Sequence, residues 1–250
     1  MRLFFFLAIL IFTTSVQASK VALIIDDIGY RQTDEAVLSL PNKITLSVLP
    51  HTPLGETLAK NGHQQGHEIM LHIPMQALNG KKLGPGGLTN QMSEYEFKQQ
   101  IDAAFNSIPY AVGVNNHMGS LLTQLDEPMQ WLMENLKHRQ GYFIDSVTTR
   151  YTRAGAKADH IGIPTLRRQV FLDNDTSKAG LERQFNHLIS LAHHQGQVVA
   201  IAHPYPETIE FLQNNLSRLK ENGIHLVNAS ELLPYRIAQQ PTNSATTRLK

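Results

Sequence analysis

Lys20-Val21-Ala22-Leu23-Ile24-Ile25-Asp26-Asp27 is a short apolar run that ends on two adjacent carboxylates. Aliphatic and β-branched residues without polar alternation describe a strand buried on both faces, as in a parallel sheet covered by helices. The pattern recurs along the chain. Residues 33–40 have helical spacing and stop at Pro41, and residues 44–49 form the next strand run, followed by Pro50. Helical spacing over 53–66 leads to a strand over 67–71. The Gly- and Pro-rich stretch 78–89 reads as a long loop of the kind that often carries function. Ser93 and Glu96 form a capping box ahead of a helix whose apolar face is Phe97, Ile101, Ala104 and Phe105. Further strands are expected over 111–114, 142–144, 170–172 and 197–202 and around Leu226, with helices over 127–139, 181–194 and 208–222. Residues 148–159 read as loop or irregular helix. Strands and helices alternate without a composition break or an internal repeat, which implies one α/β domain, either a barrel or a doubly wound sheet.

The ends of the chain differ from this middle. Arg2, an apolar run over 3–12 and small residues at Val16 and Ala18 describe a secretory signal peptide over 1–18. The apolar run falls short of the roughly 20 residues of a membrane span; the alternative is an uncleaved N-terminal anchor. Cleavage would leave a periplasmic or secreted domain over 19–235 with no stable membrane anchor, and a polar tail over 236–250 expected to be disordered. A net charge of +1 with both signs interspersed argues against nucleic acid as a partner. The chain has no cysteine, so neither disulfides nor thiolate metal sites can form. Any transition metal must be held by carboxylates and by some of the twelve histidines.

Polar, metal-capable residues follow the apolar strand runs: Asp26-Asp27, His72, Asn115-Asn116-His117, Asp145, Asp173 and His203. In α/β barrels the C-terminal strand ends converge on one mouth, where catalysis takes place. Two adjacent carboxylates at the end of a buried strand need a cation, or one must hold its proton. The plainer alternative is that one caps a helix and the other faces solvent. His67 and His72 are five residues apart, so they face opposite sides of a strand. His72, at the end of the run, belongs at the mouth and His67 reads as structural. His51, His63, His160, His187, His193, His194 and His225 have no strand-end placement and read as mostly surface residues.

These motifs resemble the polysaccharide deacetylase family, of which the chain looks like a divergent branch from about Lys20 to Leu233. The resemblance implies a single-domain, distorted (β/α) barrel with mainly parallel strands. It also implies that Asp26, first of the Asp-Asp pair, is the catalytic base and that Asp27 binds metal. Gly66-His67-Glu68-Ile69-Met70-Leu71-His72 is similar to the family's stretch carrying the first metal histidine, here His72. The family's second metal histidine falls four residues later, where this chain has Gln76, an amide and a poor ligand for zinc. His117 stands where the family carries its third motif, without that motif's Arg-Pro-Pro, and is the candidate for the missing ligand. Ile201-Ala202-His203-Pro204 resembles the last motif, whose histidine acts as general acid. Asp145 and Asp173 would orient His203 or Asp26, or act as caps, and Asn116 would support the site or meet substrate.

The function implied is metal-dependent hydrolysis of acetyl groups from an envelope polysaccharide or glycan. A divalent metal is required, with zinc preferred on ligand type. Two rivals stand beside it. One is a catalytically inactive glycan- or partner-binding periplasmic protein, favoured by Gln76 and the long loop over 78–89. The other is a barrel hydrolase acting on a different C–N bond.

Overall fold

The computed structural model describes residues 18–234. The signal-peptide reading, but for Ala18, and the polar-tail reading lie outside the described residues. Among the described residues the strands are β1 (Ser19–Ile28), β2 (Thr45–Val48), β3 (Ile69–Met75), β4 (Ala111–Met118), β5 (Tyr142–Asp145), β6 (Thr165–Arg167), β7 (Val170–Phe171), β8 (Gln197–Ala202) and β9 (Ile224–Val227). The helices are α1 (Gly55–Gln64), α2 (Glu94–Ser107), α3 (Asp126–Arg139), α4 (Ala154–Ile161), α5 (Lys178–Gln195), α6 (Pro206–Asn215) and α7 (Ser217–Glu221). No helix among the described residues is long and apolar enough to cross a membrane.

Every strand pairing is parallel, in the order β6-β5-β4-β3-β2-β1-β8-β7. β8 lines one side of β1, while the other side is shared: β9 pairs with Ser19–Ala22 and β2 takes over from Ile24. The two end strands, β6 and β7, are separated by two residues in the chain, so residues 165–171 serve both edges of the curled sheet. At this seam Arg168 N–H donates to Asp145 O and Gln169 N–H to Val199 O. The result is a distorted (β/α) barrel surrounded by helices.

Strand periodicity sorts the side chains into two cores. Val21, Leu23 and Ile25 of β1 face outward and join the large core beneath the helices. Ala22 and Ile24 face inward, with Met70, Tyr142, Ile144, Val199 and Ile201. Gly113 faces inward without a side chain, and a Cβ there would lie 2.5 Å from the Tyr142 ring, so the glycine makes room for the aromatic. At the N-terminal end of the strands the barrel is floored by Val227, Ala229, Leu232 and Leu233. There Glu68 Oε1 accepts hydrogen bonds from Tyr142 Oη (2.9 Å), Thr45 Oγ1 (3.1 Å) and Ser230 N (3.2 Å).

The α2 capping box forms as expected, with Ser93 Oγ accepting from Glu96 N–H and Glu96 accepting from Ser93 N–H. Its buried face is Phe97, Ile101, Ala104 and Phe105. Other elements depart from the sequence reading. The segment Gln32–Ser39 is a 3-10 helix, and the helix expected over 208–222 breaks at Leu216 into α6 and α7. α4 is a regular helix that begins inside the stretch read as loop or irregular helix and runs two residues past it. β6 has no apolar signature and forms because both barrel edges need a partner there. β3 and β4 extend beyond the apolar runs, so His72 and His117 lie within strands rather than after them.

Candidate metal centre at the barrel mouth

The inward phase of the strands changes character toward their C-terminal ends. On β1, Ala22 and Ile24 are followed by Asp26; on β2, Thr45 by Ser47; on β3, Met70 by His72; on β4, Gly113 by Asn115 and His117. An extended strand would send Asp27 to the opposite face from Asp26. Instead, Asp27 takes a left-handed backbone (φ +60°), which turns both carboxylates into one site. Asp tolerates this conformation better than most residues. The turn is held by buried Asp34, whose Oδ2 accepts from the backbone N–H groups of Gly29 (2.9 Å), Tyr30 (3.1 Å) and Arg31 (3.0 Å).

Asp27, His72 and His117 meet. Asp27 Oδ1 lies 3.0 Å from His72 Nε2 and 2.8 Å from His117 Nδ1, and those two nitrogens are 3.2 Å apart. Asp27 Oδ1 is buried and makes no hydrogen bond of acceptable angle, although both nitrogens are near. An orphaned carboxylate oxygen facing two imidazole nitrogens is the arrangement a cation resolves. With metal–ligand bonds of about 2.0–2.1 Å, donors on adjacent vertices are spaced roughly 3 Å apart, as here. The donor set therefore fits a divalent ion of the nitrogen- and oxygen-preferring kind. Burial raises the Asp27 pKa, but the close approach of the His117 and His72 imidazoles and their charges outweigh it, holding the carboxyl well below the usual range. Burial lowers the His72 pKa, but the charges of Asp26 and Asp27 outweigh it, for a net upward shift.

Asn115 organises this group. It is paired with His72 in the β3–β4 register. Its Oδ1 accepts from Ser47 Oγ (2.6 Å) and faces His72 Nδ1 (2.7 Å), and its Nδ2 donates to Asp26 Oδ1 (2.7 Å). The Asp26 carboxylate requires the amide NH₂ on its side. The amide oxygen therefore meets His72, which must carry its proton on Nδ1 and present the Nε2 lone pair to the site. Asp26 is 2 % exposed, with Oδ2 at 3.7 Å from His72 Nε2.

His203 borders the same space, its Nε2 4.0 Å from Asp27 Oδ2. Its other nitrogen, Nδ1, is 2.9 Å from Asp173 Oδ1, while Asp173 Oδ2 accepts from His203 N–H (2.6 Å) and Thr208 Oγ1 (3.1 Å). Burial pulls the His203 pKa down. The hydrogen bond to Asp173 and the charges of Asp173, Asp26 and Asp27 outweigh it and push the value up to about 9. Phe171 and Tyr205 flank the imidazole, with ring centroids 6.1 and 5.7 Å away.

Three residues read as supporting or departing from the site lie elsewhere. Asn116 faces away from the donor atoms: its Nδ2 donates to Met118 O (2.7 Å) and its Oδ1 accepts from Ser146 N–H (2.9 Å). Strand parity explains this, since Asn115 and His117 take the inward phase. Asp145 is buried but orients neither Asp26 nor His203; it accepts from Val147 N–H (2.9 Å) and Thr152 Oγ1 (3.0 Å) and fixes its own loop. Gln76 ties loops together, its Oε1 accepting from Asn90 N–H (2.8 Å) and its carbonyl from Leu121 and Leu122 N–H. His67 is buried, with Nδ1 2.9 Å from Ile44 O, a structural placement. Asp34 is not singled out by sequence, and Asn115 appears there only as part of the Asn115-Asn116-His117 stretch, without a role; period-2 spacing from His117 is the signal that points to it.

Fold and mouth together describe an α/β barrel of the deacetylase type. The chain belongs to the divergent polysaccharide deacetylase family, whose model matches residues 23–233. It is 41% identical over 229 residues to the uncharacterized protein YibQ of Escherichia coli (strain K12), covering 91% of this chain and 72% of that protein. An uncharacterized protein, ATU2773 of Agrobacterium tumefaciens C58, superposes with a TM-score of 0.83 at 22% identity, over 88% of this chain and 91% of that one. A family 4 carbohydrate esterase from Streptomyces lividans, solved with acetate, gives 0.50 at 12% identity, over 83% and 91% of the two chains. A mutant of a family 4 pseudoenzyme with restored enzymatic activity gives 0.51 at 16% identity, over 86% and 67%. These structural likenesses are of fold, which active and inactive proteins share.

Proposed function

We propose that the protein is an exported, metal-dependent deacetylase that removes acetyl groups from an envelope glycan. The observation that carries this reading is the convergence of Asp27, His72 and His117 on one point, with Asp26 and His203 beside it. A divalent ion held by those three side chains, zinc by preference, would supply a Lewis acid that polarises the acyl carbonyl and acidifies water. The remaining chemistry belongs to the chain. Water adds to the acyl carbon as the C–N bond breaks, and Asp26 accepts the water proton on Oδ2, the oxygen not engaged by Asn115. His203 enters protonated and gives its Nε2 proton to the departing amine, leaving acetate and a free amino sugar. Asp173 keeps Nδ1 occupied, so that Nε2 is the nitrogen aimed at the site.

The test combines metal analysis by mass spectrometry with acetate release from N-acetylated oligosaccharides. Asp27→Ala and His72→Ala are expected to lose bound metal and all activity. Unchanged metal content in His72→Ala would overturn the ligand assignment. A wild-type protein that takes up no metal and releases no acetate would instead support the inactive, glycan-binding reading.

A further inference from the structure

We infer that the glycan taken by this mouth is anionic, carrying carboxylates on sugars that flank the reacting acetamide. The inference rests on the deacetylase reading of the same site and adds the class of its substrate.

Charge is the first observation. The whole chain is nearly balanced, with 22 basic and 21 acidic residues. The loops that follow the strand ends, and so surround the mouth, are not. They carry Arg31, Lys81, Lys82, Arg150, Arg153 and Arg168 against one exposed carboxylate, Asp175, which is paired with Arg183 at 2.9 Å; the other acidic residues at this end, among them Glu94, Asp126 and Glu207, lie in the first turns of the surrounding helices. Arg153 is paired with Asp126 at 3.0 Å, and the Arg31 guanidinium lies 3.9 Å from Asp34. Lys81, Lys82, Arg150 and Arg168 form no ion pair among the described residues.

Arg168 is the most telling of these. It takes the inward phase of the seam above Leu166 and is only partly exposed. Its guanidinium donates to two carbonyls, Ser146 O (2.7 Å) and Val147 O (2.9 Å), and lies 3.7 Å from the centroid of the Phe171 ring. Carbonyls orient a cation without neutralising it, so the charge remains available to a ligand. Burial pulls its pKa down, although Asp145 and Asp26 oppose that shift.

The second observation is the ring system around His203. Phe171 and Tyr205 flank the imidazole, and each carries an arginine: Arg168 on Phe171, and Arg31 at 5.5 Å from the Tyr205 centroid. Tyr151 pairs with Arg150 in the same manner at 4.6 Å, and both Tyr151 and Tyr30 are exposed. Aromatic faces offer apolar platforms to sugar rings, and the arginine forks beside them match carboxylate geometry. A neutral glycan would use the platforms and leave the partly buried Arg168 guanidinium without a direct ion-pair partner.

The experiment is calorimetric titration of the full chain carrying Asp26→Asn, which prevents turnover during binding. Two probes share N-acetylglucosamine: chitooligosaccharide, which is neutral, and hyaluronan oligosaccharide of equal length, which has a glucuronate on every second sugar. The carboxylated probe is expected to bind about tenfold tighter at low salt, with the advantage shrinking as exposed charges are screened by added salt. Lys81→Ala/Lys82→Ala should lose much of that preference while binding chitooligosaccharide as before. Arg168→Lys, which keeps the charge but not the fork, should lose part of it. Equal affinity for the two probes at low salt would overturn the inference, as would polyphosphate binding as tightly as the carboxylated sugar. A clear preference in the titration, with no acetate released by the wild-type protein, would sink the deacetylase reading and leave the anionic binding surface standing.

Discussion

The two ends of the barrel interior are built from the same strands in the same side-chain phase, yet they solve opposite problems. At the floor, Glu68 is surrounded by the neutral donors Tyr142, Thr45 and Ser230, and Thr45 Oγ1 in turn accepts from Ala229 N–H (3.0 Å). At the mouth, Asp27 Oδ1 faces two imidazole nitrogens without a well-formed hydrogen bond, on a left-handed backbone. A carboxylate with its hydrogen bonds made serves structure. One left unsatisfied beside converging lone pairs is poised for a ligand, and the strain around it costs roughly 1–3 kcal/mol that the rest of the fold offsets.

Breaking the mouth should change chemistry and leave folding nearly untouched. The largest effect is expected from Asp26→Asn: kcat for acetate release falls about 10²–10⁴-fold, the usual contribution of a general base, with metal content unchanged. Steady-state kinetics paired with metal analysis checks this, and loss of the metal together with activity would mean that Asp26 is a ligand. Asn115→Ala comes next. It removes the group that sets the His72 tautomer, and a weakening of metal affinity by about 10–100-fold is expected in a competitive chelator titration.

His203 sharpens the contrast through pH. Its pKa is about 9 in the fold against an ordinary 6.5, so the imidazolium is favoured by folding. That stabilisation is complete below 6.5 and is lost as pH rises through about 9. In metal-free protein, the gap in thermal stability between wild type and Asp173→Asn should therefore be widest near neutral or mildly acidic pH and close above pH 9 or so. A gap that widened with pH would reverse the sign and refute the assignment. The smallest effect belongs to the floor. Tyr142→Phe should cost about 0.5–1.5 kcal/mol of stability in a denaturant titration, without altering bound metal.

The apolar runs ending in Asp, His or Asn were enough to read the fold, because burial on both faces of a parallel sheet leaves a continuous signature in β1, β3 and β8. The capping box at Ser93 was equally plain, since it depends on residues three apart. Asp27, His72, His117 and His203 could be picked out because strand ends converge in such a barrel. What escaped was set by contacts between distant segments. Asn115 and Asn116 look alike in sequence, and only the phase of β4 decides which one enters the site. β6 is strand because two sheet edges need a partner, which its own residues, Thr165, Leu166 and Arg167, do not announce. Asp34 escaped because its work is to accept three backbone N–H groups in a turn whose shape is not written in residue type.

The seam over residues 165–171 has a further consequence. Strands left open invite pairing with another molecule, and this sheet avoids that hazard by lending a single stretch of chain to both of its margins. The economy concentrates risk. Insertion, proteolytic nicking or circular permutation at those few residues would free two margins at once, whereas the same cut in the loop over 78–89 would free none. Self-association should accordingly be the first symptom of damage to the seam, ahead of any loss of helix.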